Sequence, residues 1–145
     1  MAVGEEVSAV KACFDIGALP GVEDGELRLS GPDASGVIHV SGSGRWTKAR
    51  SDTHSRELRA LVEDCRARGL DIRVLCDLRA MAVDCADLLE HSGRSSRKIY
   101  RPKDRIAILV KTSLAKMQLR RGDSIGNVEM FLSTDAAKTW LNAYV

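Results

Sequence analysis

"VLCDLRAMAVDCADLL", residues 74–89, is the stretch on which the fold turns. An apolar run from Val74 to Cys76 meets an acid at Asp77, a short connection follows, and Asp84 and Asp87 then flank Cys85 and Ala86 ahead of Leu88 and Leu89. A run with so little polarity suits a strand covered by other elements, and the acids after it suit the start of a helix. Asp84 fits the N-cap and Asp87 the first turn, where carboxylates meet unsatisfied N–H groups and the positive end of the helix dipole. The unit reads as a buried strand over 72–78 leading into a helix from Val83 onward.

Working outward, the upstream chain opens with "ELRLS" at 26–30, which alternates, "GPDASG" at 31–36, which is turn chemistry, and "VIHVSGSG" at 37–44, a second strand. Together they predict an antiparallel hairpin. In 51–71, Leu58, Leu61, Val62 and Cys65 recur at helical spacing, and Gly69 suits the helix end. Downstream, "DRIAILVK" (104–111) reads as a strand, "SLAKMQLRR" (113–121) as a short helix and "GNVEMFLS" (126–133) as a last strand. "TDAAKTWLNAY" (134–144) reads as a helix capped by Thr134 or Ser133, with Ala137, Trp140 and Leu141 inward. The order β-β-α-β-α-β-α-β-α predicts one α/β domain over 26–145, with a mixed, largely parallel sheet of about five strands opened by a hairpin and packed against helices. Residues 1–25 form a leader, either a short helix with Val7, Val10 and Phe14 on one face or a partly disordered arm.

Several function classes lose ground at once. With 44% hydrophobic and 29% charged residues the chain has a soluble globular composition, and its longest apolar run, Ile106 to Val110, is far short of a membrane span. Glu5, Glu6 and Lys11 stand where a secretory signal needs an apolar segment, so a cytoplasmic location is expected. Cys13, Cys65, Cys76 and Cys85 include no C-x-x-C pair, and His39, His54 and His91 stand apart, so neither a metal nor another cofactor is expected. Cys85 and His91, six residues apart on a helix, point about 120 degrees away from each other and make no catalytic dyad. "SGSGRW" at 41–46 lacks the third glycine of a dinucleotide fingerprint and the Lys-Ser/Thr of a phosphate loop, which leaves it as a flexible strand exit. A non-enzymatic protein is expected.

The strand "IRVLCDL" ending at Asp77 and Leu78, the following "VDCADLL", and the runs "DRIAILV" and "EMFLSTDAAKTWL" resemble the SpoIIAA-like group. These are small bacterial proteins related to the STAS domain (sulfate transporter and anti-sigma factor antagonist) and likened to CRAL-TRIO lipid-binding domains. The resemblance covers roughly residues 26–145 and implies a STAS/SpoIIAA-like fold. In phosphorylatable STAS antagonists the loop after the corresponding strand carries an Asp-Ser-Ser-Gly type motif whose serine sits at a helix start. The matching positions here are Asp84, Cys85, Ala86 and Asp87, which offer no hydroxyl to phosphorylate.

Charge is the feature that neither the fold nor the resemblance explains. Residues 91–121 hold ten Lys or Arg against one acid, Asp104, a net of +9 in a chain whose total is +2. Arg94, Arg97, Lys98 and Arg101 recur at i, i+3, i+4 and i+7, which predicts one basic helical face, and Gly93, Ser95 and Ser96 weaken that helix into a mobile end. A solvated face, a site for anionic head groups or phosphorylated metabolites, and a docking surface for an acidic protein all fit. Nucleic acid does not, since Tyr100 is the segment's one aromatic residue. The leading expectation is binding of a small amphipathic or anionic, lipid-like ligand, with peripheral contact to anionic lipid, beneath the helix over 83–100. Leu88, Leu89, Arg94, Arg97, Lys98, Ile99, Arg101 and Met117 are its candidate residues. The alternative is a STAS-type protein–protein interaction regulator lacking the phosphorylatable serine. A deep apolar cavity under Leu88, Leu89, Ile99 and Met117 favours the first, and a filled core with an exposed patch favours the second.

Overall fold

A computed structural model describes residues 25–81, 95, 97–120 and 127–143. Five strands pair in chain order: β1 (Glu26–Ser30), β2 (Val37–Gly44), β3 (Arg73–Met81), β4 (Arg105–Leu109) and β5 (Val128–Phe131). β1 runs antiparallel to β2, and the other three pairings are parallel. The helices are α1 (Lys48–Ala67), α2 (Ser113–Arg120) and α3 (Thr134–Asn142). Residues 97–99 are also helical and lead towards β4.

Alternation along the strands divides the core between the two sheet faces. On one face Ile38, Val40, Val74 and Ile106 meet Leu58, Val62 and Cys65 of α1, with Ile99 and Tyr100 packed against the same cluster. On the other, Val37, Leu75, Ala107 and Leu109 meet Ala137 and Leu141 of α3. α3 packs on β3, β4 and β5. The corresponding face of β1 and β2 carries Arg28, His39, Ser41 and Ser43, all exposed or half-buried.

Local chemistry sets the helix ends. α1 starts at Lys48, earlier than the expected 51, because the Thr47 hydroxyl accepts from the Arg50 N–H at 3.1 Å. It ends in a Schellman arrangement: Gly69 has φ 75°, its N–H donates to Arg66 O, and the Leu70 N–H reaches back to Cys65 O. Thr112 caps α2 through Ala115 N at 3.0 Å, and Ser133 rather than Thr134 caps α3.

Two further expectations are corrected. "SGSGRW" is not a loose exit: Ser41 to Gly44 belong to β2, and a Cβ on Gly42 would lie 2.6 Å from Trp46 Cζ2 and 3.2 Å from Leu78 Cδ2. Glycine is needed there so that the buried indole can lie on the strand. Nor does the basic helical face extend to Arg101, since helix ends at Ile99. Pro102 disfavours helical backbone at the residue before it, and Arg101 instead opens a turn in which the Asp104 N–H donates to Arg101 O at 3.0 Å.

Candidate functional site

In open α/β sheets the carboxyl ends of the strands leave room for ligands and partners. Here that end holds an open depression of about 710 Å³ on the face that α3 leaves uncovered. Its lining comes from β1 (Glu26, Arg28), β2 (Ser41, Gly42, Ser43), β3 (Asp77, Arg79, Ala80) and Lys111 just past β4. A bulge shapes it. Ser41 pairs with Asp77 but Ser43 pairs with Ala80, so β3 carries one extra residue, and both Arg79 and Ala80 reach the depression.

The charges are largely matched within the site. Asp77 accepts from the Arg79 backbone N–H at 3.1 Å and from its Nε and Nη2 at 2.9 and 2.8 Å. This side chain holds the Asp77 carboxyl below the ordinary aspartate range. Arg28 pairs with Glu26 at 3.1 Å. The arrangement is a polar, ion-paired surface. Cys76, the neighbouring thiol, is pushed up to about 12 by burial and then by Asp77, which favours its protonated form. Among the described residues, no three His, Cys, Asp or Glu side chains gather as metal ligands would.

Leu114 and Met117 on α2 are 64% and 65% exposed, and Leu132 after β5 is 52% exposed. All three follow the carboxyl ends of β4 or β5, whose close approach is marked by the Val110 N–H donating to Phe131 O at 2.9 Å.

The described members of the expected ligand set lie in different surroundings. Ile99 joins the core against α1, whereas Met117 lies exposed on α2. Arg97 and Lys98 are exposed on the short helical stretch. That stretch is held at its end: Arg59 Nη2 donates to Lys98 O at 3.3 Å and Arg66 Nη2 to Ile99 O at 3.1 Å. Leu88, Leu89 and Arg94, and the loop positions Asp84, Cys85, Ala86 and Asp87, lie outside the described residues. Sequence reasoning did not find Glu26, Arg28, Ser41, Ser43, Arg79 and Lys111 as a group. The available signal was the outward alternation of Arg28, Ser41 and Ser43 on the predicted hairpin.

No helix among the described residues is long and apolar enough to cross a membrane. A scan against models of protein families finds no match, and a search of curated proteins finds none either. Among solved structures, the chain is similar to the crystal structure of an anti-sigma factor antagonist from Mycobacterium paratuberculosis. The TM-score is 0.55 at 16% identity, over 81% of this chain and 93% of that one. At that identity the likeness speaks for architecture alone, and the architecture is the STAS/SpoIIAA-like one that the sequence resemblance implies.

Proposed function

We propose that this protein is a non-enzymatic, STAS-type protein–protein interaction regulator that works without the phosphorylatable serine. The observation that carries the reading is the fold shared with an anti-sigma factor antagonist along most of both chains. Two features of the described residues support it over a lipid-like ligand carrier. Ile99, expected to roof a cavity, is packed into the α1 core, and Leu114, Met117 and Leu132 stand exposed at the carboxyl end of the sheet. Exposed apolar side chains of this kind are what a partner surface draws on. The depression at the ends of β1 to β3 has mixed, paired charges, a poor match for an acyl chain.

In this reading regulation does not pass through phosphate at Cys85, which has no hydroxyl, and the partner is a regulatory protein. The test is calorimetric titration of the purified chain with each anti-sigma factor encoded in its own genome. A saturable complex with at least one of them is expected. Absence of binding to all, with a co-purifying amphipathic molecule seen by native mass spectrometry, would return the function to ligand binding.

A further inference from the structure

β1 is an edge strand. Its one pairing is with β2, and no described strand lies along its other side. An open edge presents a row of unpaired backbone N–H and C=O groups, which proteins usually blunt with proline, lysine, a bulge or an inward-facing charge. β1 lacks these four devices, and what blunts it instead is its length of 5 residues and two exposed charges of opposite sign. "ELRLS" contains no Pro or Lys, and its register with β2 is continuous from Glu26↔Ser43 to Ser30↔His39. Both charges, Glu26 and Arg28, are exposed, whereas Leu27 and Leu29 are half-buried against the core under α1.

The order Glu26, Leu27, Arg28 is complementary to itself when read antiparallel. We propose that the β1 edge pairs with the β1 edge of a second copy of this chain, antiparallel about a two-fold axis at Leu27. In that register Glu26 faces Arg28 of the second copy and Arg28 faces its Glu26. Leu27 faces Leu27 on the core side, and Leu29 lies over Gly25, which has no side chain. The register centred on Arg28 sets two guanidinium groups against each other and is disfavoured, because like charges directly opposite are destabilising. Glu26 and Arg28 already form an ion pair along their own strand, at 3.1 Å, so the pairing closes a four-charge cluster without rearranging either side chain. The two sheets then continue into one of ten strands, an isologous contact that uses the same surface on both copies.

Sedimentation velocity of the full chain across the micromolar range, at low and high salt, tests this independently of any regulatory partner. Wild type should show a concentration-dependent dimer that weakens with added salt. Glu26→Arg and Arg28→Glu, each alone, should raise the dimer dissociation constant by about tenfold or more, because each sets like charges opposite at both ends of the pair. An equimolar mixture of the two variants should restore dimer, now as a heterodimer. Unchanged circular dichroism confirms that both variants are folded. A wild type that stays monomeric, single variants that dimerise as well as wild type, or a mixture that stays monomeric would each overturn the proposal.

Discussion

Arg66 on α1 donates to both oxygens of Asp104, 38 residues away, at 3.0 and 2.6 Å, and the Asp104 side chain is 1% exposed. The same carboxylate takes the Arg101 backbone N–H at 2.7 Å, and Arg66 also holds Ile99 O. One ion pair thus joins α1, the end of the basic helix and the start of β4. Arg66→Met leaves a buried carboxylate without its cation and should cost about 3 to 5 kcal/mol by chemical denaturation. The double variant Arg66→Met/Asp104→Leu should recover much of that, since the desolvated charge is then gone. A single variant as stable as wild type would show that the carboxylate is hydrated.

Gly42 meets the indole of Trp46 where a Cβ has no room. Gly42→Ala should destabilise by about 1 to 3 kcal/mol through overpacking and shift the near-ultraviolet circular dichroism of the tryptophans. Gly69→Ala makes a useful contrast, since no atom lies within 4 Å of its added methyl and the whole penalty comes from φ 75°.

His54 on α1 is half-buried, and desolvation lowers its pKa below 6.5, with Glu57 opposing the shift more weakly. The unfolded chain therefore binds this proton more readily than the native one. The His54 contribution is complete above the unfolded pKa and is lost as pH falls from there through the lower folded value. Urea midpoints measured at about pH 7.5 and about pH 5.5 should drop more for wild type than for His54→Gln. Equal drops would assign the acid sensitivity to other groups.

Leu114→Glu and Met117→Glu change side chains that already face water. Each should alter stability by no more than about 0.5 kcal/mol while abolishing the binding of any protein partner that docks on α2. Partner binding unchanged in the double variant would move the docking surface elsewhere on the sheet.

Incubation with candidate anti-sigma kinases should add no phosphate at residues 84–87, which contain only Asp, Cys and Ala. Intact-mass measurement with peptide mapping checks this, and phosphate on Ser92, Ser95 or Ser96 would place the switch further along the chain.

Periodicity and turn chemistry made the hairpin legible to the residue: β1 and β2 span 26–30 and 37–44, as "ELRLS" and "VIHVSGSG" indicate. β3 runs on to Met81, past the expected Leu78, because its last residues pair with Ser43 and Gly44 beyond a bulge that no local pattern announces. In the basic segment, the one acid, Asp104, is spent on Arg66 outside it, a pairing across 38 residues that no count of charges announces. The depression stayed hidden for a related reason. Its lining joins four stretches of chain whose spacing in sequence carries no motif, and only the strand register brings Arg28, Ser41 and Asp77 to one face.

The sheet order has a consequence for synthesis. Because every strand pairs with the one before it in the chain, each new strand emerging from the ribosome finds its neighbour already made. The exception is the cover supplied by α3. Val37, Leu75, Ala107 and Leu109 wait for Ala137 and Leu141, made tens of residues later, before that face is shielded from water. Nascent chains stalled just before Thr134 would therefore lack the cover that Ala137 and Leu141 give these four residues.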